Sequence, residues 1–164
     1  MKNQNTLVTI NLFVSVATLS VVYFLQYILG MQPCEMCIHE RYPYFILILL
    51  CLISLICIKL PNKDQIKFAN TIKYLSLLII FAALIYSIMH VGIERGFIEG
   101  FSECSGLFSN INDADSLLLA LEKAPLVRCN DPVLLFNFIS IAESNLIVLA
   151  LLLFINTYLI FQKK

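Results

Sequence analysis

Two of the six cysteines in this chain stand as Cys34-Glu35-Met36-Cys37, with two residues between the thiols. That spacing lets both sulfurs meet on one helical turn, so a disulfide between them is easily made and easily broken. Pro33 suits the first turn of a helix, where unpaired backbone N–H groups favour a thiolate. If the turn continues, Arg41 lies four residues past Cys37 on the same face, and its fixed charge stabilises that thiolate further. Pro43 then implies a break or kink before the next long helix settles. The same motif also serves zinc sites and static crosslinks. Zinc needs two more ligands, which His39, His90 or the other cysteines have the chemistry to supply. No second Cys-x-x-Cys or paired-His spacing accompanies the first, however, and no metal site is expected. A static crosslink across so tight a loop gains little stability. Redox exchange fits best. Glu35 and Glu40 read as solvated acids that oppose Arg41, and His39 as a solvated or interfacial residue.

The elements that carry these residues follow from composition. Of the 164 residues, 60% are hydrophobic and only 13% charged, against roughly 45–50% apolar in ordinary soluble domains. So small a chain has too little core to hide that much apolar side chain from water. A net charge of zero and the lack of any basic block argue against nucleic acid as a partner. Four segments approach the roughly 20 apolar residues that cross a bilayer as helix: about 7–29, 43–60, 72–93 and 139–161. The first has too long an apolar run for a cleaved signal peptide, and no small-residue cleavage site precedes Pro33. The expected fold is all-α, a single integral membrane domain built as a four-helix bundle with two extracytoplasmic loops, 30–42 and 94–138.

Charge sets the orientation. Lys2, Lys59, Lys63, Lys67, Lys73, Lys163 and Lys164 lie toward one side; Arg41, Arg95, Lys123 and Arg128 lie toward the other. This bias of seven basic residues to four predicts both termini in the cytoplasm. Cys34, Cys37, Cys104 and Cys129 then all face outward, where disulfides persist. Cys51 and Cys57 fall inside the second helix and read as small buried hydrophobes.

Gly92, Gly96, Gly100 and Gly106 cluster where the third helix gives way to the second outward loop, and they give a backbone able to bend. Asp113-Ala114-Asp115-Ser116 then leads into Leu117–Lys123, a short amphipathic helix capped by Asp or Ser and lying on the membrane surface. Cys104 and Cys129 bracket it. Alone, that pair reads as a staple for an exposed loop. Beside a Cys-x-x-Cys on the same side of the membrane, thiol–disulfide exchange between the pairs is the better reading, because a long loop lets one thiolate reach the other disulfide. His90 and Glu94, four apart on the third helix, share a face. Such groups are hydrogen-bonded between helices or belong to a functional site, and spacing does not choose.

Taken together, these residues resemble the bacterial disulfide bond formation protein B (DsbB) family over nearly the whole chain. The likeness lies in the four spans, Pro33-Cys34-x-x-Cys37 followed by Glu40-Arg41, and the loop cysteines Cys104 and Cys129. His90-Val91-Gly92-Ile93-Glu94 and Ser140-x-Ala142-x-x-Asn145 are similar to motifs of one branch of the family. The resemblance implies a thiol:quinone oxidoreductase of the bacterial inner membrane that serves oxidative protein folding and draws on the quinone pool, ubiquinone or menaquinone. Cys104 would form the mixed disulfide with a reduced periplasmic DsbA-like thiol oxidase. Cys129 would attack Cys34, and Cys37 would pass electrons to quinone beside Arg41, with His90 and Gln26 in the quinone surroundings. The DsbA–DsbB–quinone system is what keeps the bacterial periplasm oxidising. Two other readings compete. A vitamin K epoxide reductase-like enzyme has similar chemistry but places its Cys-x-x-Cys after the loop pair. A non-enzymatic membrane protein, metal-binding or stapled by disulfides, would have unreactive bridges.

Overall fold

A computed structural model of the chain describes residues 2–58, 65–99, 129, 134–135 and 138–162. Among the described residues, four stretches of helix are long and apolar enough to cross a membrane: Asn5–Tyr27, Glu35–Cys57, Asn70–Glu94 and Ile141–Phe161. They belong to α1 (Lys2–Tyr27), a one-turn α2 (Glu35–His39) with α3 (Tyr42–Ile58), α4 (Gln65–Glu94) and α5 (Ile141–Phe161). At about 1.5 Å per residue, the 26 residues of α1 exceed the roughly 30 Å of a hydrocarbon core. Two-residue strands β1 (Leu134–Leu135) and β2 (Ile139–Ser140) pair antiparallel, Leu134 opposite Ser140, and lead directly into α5. The sequence carries no alternating signal for so short a hairpin. Cys104, Gly100, Gly106 and the expected helix Leu117–Lys123 lie outside the described residues.

The four long helices close a ring: α1 packs on α3, α3 on α4, α4 on α5, and α5 back on α1. Their shared interior is layered. Leu47, Ile80 and Leu152 form one buried layer; Leu19, Tyr44, Ala83 and Leu149 form the next. The layer nearest the second cysteine of the loop holds Cys34, Met36, Ile93 and Cys129. Ser15, Ser54, Ser76 and Ser87 are also inside, while Phe13, Phe154 and Leu78 point out of the bundle. Small and hydroxylated residues within and large apolar ones without is the distribution expected where lipid, as apolar as leucine, is the outer solvent. Asn11 on α1 and Asn156 on α5 hydrogen-bond reciprocally at 3.0 and 2.8 Å, tying the first helix to the last. Such a bond averages about 0.6 kcal/mol inside a membrane protein.

The break before α3 lies at Glu40–Arg41 rather than at Pro43. Arg41 N–H bonds to the Ile38 carbonyl at 3.1 Å, and the Arg41 carbonyl accepts from Tyr44 and Phe45. Pro43 sits in the first turn of α3, where its missing N–H breaks no helical bond. The glycines at the end of α4 do defined work. Gly96 adopts φ +73°, and Phe97 and Ile98 turn back so that both donate to the Gly92 carbonyl. A Cβ on Gly92 would stand 2.7 Å from Ile98 Cδ1, so that side chain would have to turn aside to admit one.

Candidate functional site

The site begins with Cys34, which is the N-cap of α2 in extended backbone and not a residue of its first turn. Its Sγ accepts the Cys37 N–H at 3.3 Å, the capping role usually taken by Ser or Asp. Pro33 therefore precedes the cap. The two sulfurs are 3.1 Å apart as thiols, Cys34 donating to Cys37. Met36, on the inward side of α2, is 2% exposed and presses the turn into the bundle beside Cys34 and Ile93. His39 stays exposed and reaches the Tyr86 hydroxyl at 3.3 Å, linking α2 to α4.

Helix α4 brings the buried His90 to this pair. His90 Nε2 lies 3.4 Å from Cys34 Sγ, and its Nδ1 lies 3.1 Å from Glu40 Oε1. Thiol, imidazole and carboxylate are thus in line, and all three residues are buried. The Cys34 thiol is pushed up to about 12, first by the hydrogen bond to Cys37 and then by burial, with His90 acting the other way. It therefore holds its proton in the dithiol form, with the imidazole as the adjacent acceptor. Glu40 differs from the solvated acid expected. The turn that ends α2 directs it inward, where His90 compensates its charge. Nothing in the local sequence pairs residues 50 positions apart. Glu35 is exposed.

The other half of the site comes from the second loop. Cys129 is buried, and its Sγ, Cys34 Sγ and a ring nitrogen of His90 all lie within 4.8 Å of one another. The chain thus delivers a cysteine 95 positions downstream to the Cys-x-x-Cys. Cys51 is buried and Cys57 half-buried, both as free thiols on α3.

Beside these sulfurs opens a cavity of about 370 Å³, within the size range of small-molecule sites. Cys34, Cys37, Arg41, His90 and Glu94 line one end, and α1 and α5 side chains such as Phe13 and Val148 line the apolar remainder. Arg41 donates from Nη1 to Gln26 Oε1 at 2.7 Å and lies 5.0 Å over the Tyr23 ring. Its Nε is buried without a hydrogen-bond partner. Gln26 is not itself among the lining residues; it stands behind Arg41 and fixes it. Below, Tyr44 donates to Asn145 at 2.6 Å, and Asn145 donates to Ser87 at 3.5 Å, so α3, α4 and α5 share one polar floor.

Glu94 faces α5, where it accepts from Ser140 Oγ at 2.7 Å. Ser140 also caps α5, with Glu143 completing a capping box. Arg95 grips Glu143 through both Nε and Nη2.

Comparison with known proteins agrees with this geometry. The chain is 29% identical over 157 residues to Uncharacterized protein RP370 of Rickettsia prowazekii (strain Madrid E), covering 92% of this chain and 85% of that one. No solved structure matches significantly. Residues 4–159 match the family described as Disulfide bond formation protein DsbB, nearly the full length. A bundle of membrane-crossing helices that buries a Cys-x-x-Cys beside a loop cysteine is thus more than a likeness of motifs: the chain belongs to the DsbB family, whose members are membrane disulfide oxidoreductases.

Proposed function

We propose that the chain reoxidises a periplasmic, thioredoxin-like thiol oxidase of the DsbA type through its two cysteine pairs and delivers the electrons to a membrane quinone. In this reading it sits in the bacterial inner membrane with both termini in the cytoplasm, and Cys34, Cys37, Cys104 and Cys129 face the periplasm. The observation that carries it is the approach of Cys129 to Cys34 at the mouth of a cavity that also holds Arg41.

The cavity fits a quinone. It is apolar over most of its wall, and at its sulfur end Arg41 Nε is a buried donor without a partner. Arg41 would hold a quinone oxygen there, with Gln26 and Tyr23 keeping the guanidinium in place. When bound, the quinone takes up the two electrons and two protons released as the Cys34–Cys37 disulfide is remade.

The chain's own residues do the rest. A partner thiolate attacks Cys104 of the Cys104–Cys129 disulfide, forming a mixed disulfide and releasing Cys129 as thiolate. The second partner thiol then closes the partner's disulfide and frees Cys104. Cys129 attacks Cys34 in line, breaking the Cys34–Cys37 bond and releasing Cys37. Attack by Cys104 on Cys129 restores the loop disulfide and leaves Cys34 and Cys37 reduced. Cys34 leaves that step as a thiol whose proton is firmly held, so remaking the bond needs a base. His90 Nε2, 3.4 Å away, takes that proton, and Glu40 on Nδ1 supports the imidazolium.

The test is quinone reduction by purified protein supplied with a reduced DsbA-type oxidase. Cys37→Ser and Cys104→Ser should abolish turnover. Arg41→Lys should raise the quinone KM about tenfold or more, as expected for loss of a hydrogen bond to a charged group worth about 1.5–3 kcal/mol. A Cys51→Ser/Cys57→Ser protein should turn over normally. Full activity in both single serine variants would sink the relay.

A further inference from the structure

The cluster that serves exchange also has the composition of a closed metal site. Cys34, Cys129 and His90 offer two sulfurs and a nitrogen within 4.8 Å of one another, all buried. Cys37 Sγ lies 3.1 Å from Cys34 but outside that mutually close group, so it would have to turn inward to complete a fourth position. Zinc sits ~2.3 Å from sulfur and ~2.0 Å from imidazole nitrogen, which sets tetrahedral donor–donor edges of roughly 3.5–3.8 Å. The separations present, 3.1 and 3.4 Å about Cys34 and none above 4.8 Å in the triad, bracket those edges. A second observation points the same way. Glu40 Oε1 stands 3.1 Å from His90 Nδ1 as a buried charge contact, while Nε2 is turned toward the thiols. Carboxylate–histidine–metal sites use this arrangement to fix the tautomer and strengthen the ligand.

We propose that the fully reduced protein binds one thiophilic divalent cation, zinc being the type, through Cys34, Cys37, Cys129 and His90, and that the bound ion arrests the enzyme in its reduced form. Binding exchanges the protons of three thiols for one cation, with no change of oxidation state. All four positions are then filled by protein, as in sites that hold a metal without acting through it. A Cys34–Cys37 disulfide offers no thiolates, so binding and oxidation exclude one another. An ion at 100 times its Kd shifts the reduced-to-oxidised ratio about 100-fold. At about 29.6 mV per tenfold, that raises the reduction potential of the pair by about 60 mV. The binding stands on this geometry alone; only the arrest of turnover rests on the relay proposed above.

The experiment uses full-length protein in lipid nanodiscs, reduced with a phosphine and titrated anaerobically with Co²⁺. One cobalt per chain is expected, with intense d–d bands of tetrahedral geometry and thiolate-to-cobalt charge transfer, displaced by Zn²⁺. Disulfide formation should remove the signal. Glu40→Gln should weaken binding about 10- to 100-fold, the usual effect of losing such a support, and Cys129→Ser by at least as much. Cys104→Ser should keep the full signal while losing oxidation of the partner, which separates the site from the relay. Zn²⁺ should also halt quinone reduction by the wild type, reversibly with chelator. Cobalt spectra lacking the charge-transfer bands, or binding unchanged in Cys129→Ser or in the oxidised protein, would overturn the site. Tetrahedral cobalt binding in a protein that reduces no quinone leaves the site standing and removes the relay. Zn²⁺ bound at the cluster without slowing turnover overturns the arrest.

Discussion

At the scale of single residues, the two thiols of the Cys-x-x-Cys are made unequal by one local fact. Cys34 is a buried cap and Cys37 a half-buried residue of the turn. The Cys34 thiol, ordinarily near 9.0, is pushed up to about 12, the bond to Cys37 being the largest cause. In the folded dithiol state Cys34 stays protonated across the range where an unfolded chain would already have lost that proton. Its contribution to stability is therefore full below about 9 and is lost as the pH climbs toward 12. Alkylation of reduced protein, followed residue by residue by mass spectrometry, should find Cys34 unreactive until strongly alkaline pH. Its midpoint should fall in Cys37→Ala, where the hydrogen bond is gone. An unchanged midpoint would mean that burial alone sets it. The reactive turn was legible in the sequence because both thiols and Arg41 lie within eight residues. The contacts that tune it were not. Gln26 meets Arg41 across 15 positions and Glu40 meets His90 across 50, and only the packing of α1 and α4 against the turn makes them neighbours.

At the scale of elements, the ends of the helices matter more than their spans. The apolar runs that predict four helices leave their termini open, since a membrane segment is uniformly apolar and carries no stop of its own. The end of α4 is set by Gly92 and Gly96, legible as glycines but not as this turn. The start of α5 is set by Ser140, whose Oγ accepts the Glu143 N–H at 3.0 Å and donates to Glu94 at 2.7 Å. One hydroxyl therefore caps α5 and satisfies a buried carboxylate of α4. Ser140→Ala should cost about 1 kcal/mol for the cap and about 1–3 kcal/mol more for the unsatisfied Glu94. Ser140→Thr should recover most of it. Thermal unfolding in detergent reads the difference. If Ser140→Ala unfolds with the wild type, Glu94 has another partner and the two helix ends are not coupled through Ser140.

For the molecule as a whole, orientation decides whether the cluster of sulfurs can meet an oxidase at all. The large apolar side chains on the outside of the helices do not distinguish the two ends, and the ionisable groups buried at the cysteine end, Glu40, His90 and Glu94, are enclosed by protein whichever way that end faces. Only the basic residues beyond the spans distinguish the ends, at about 2.5–3.5 kcal/mol for each charge forced to the middle of a bilayer. Lys59, Lys63, Lys67 and Lys73 gather between the second and third spans or at their ends, and Lys2, Lys163 and Lys164 near the termini, seven basic residues against the four on the opposite side, Arg41, Arg95, Lys123 and Arg128. The cysteine-bearing end should therefore be periplasmic. In a chain whose six cysteines are replaced by serine, Asn110→Cys should react with a membrane-impermeant maleimide once the outer membrane is made permeable. Asn62→Cys should react only after the inner membrane is broken. The reverse pattern would put Cys34, Cys37 and Cys129 in the reducing cytoplasm, where a disulfide relay has no oxidising work to do.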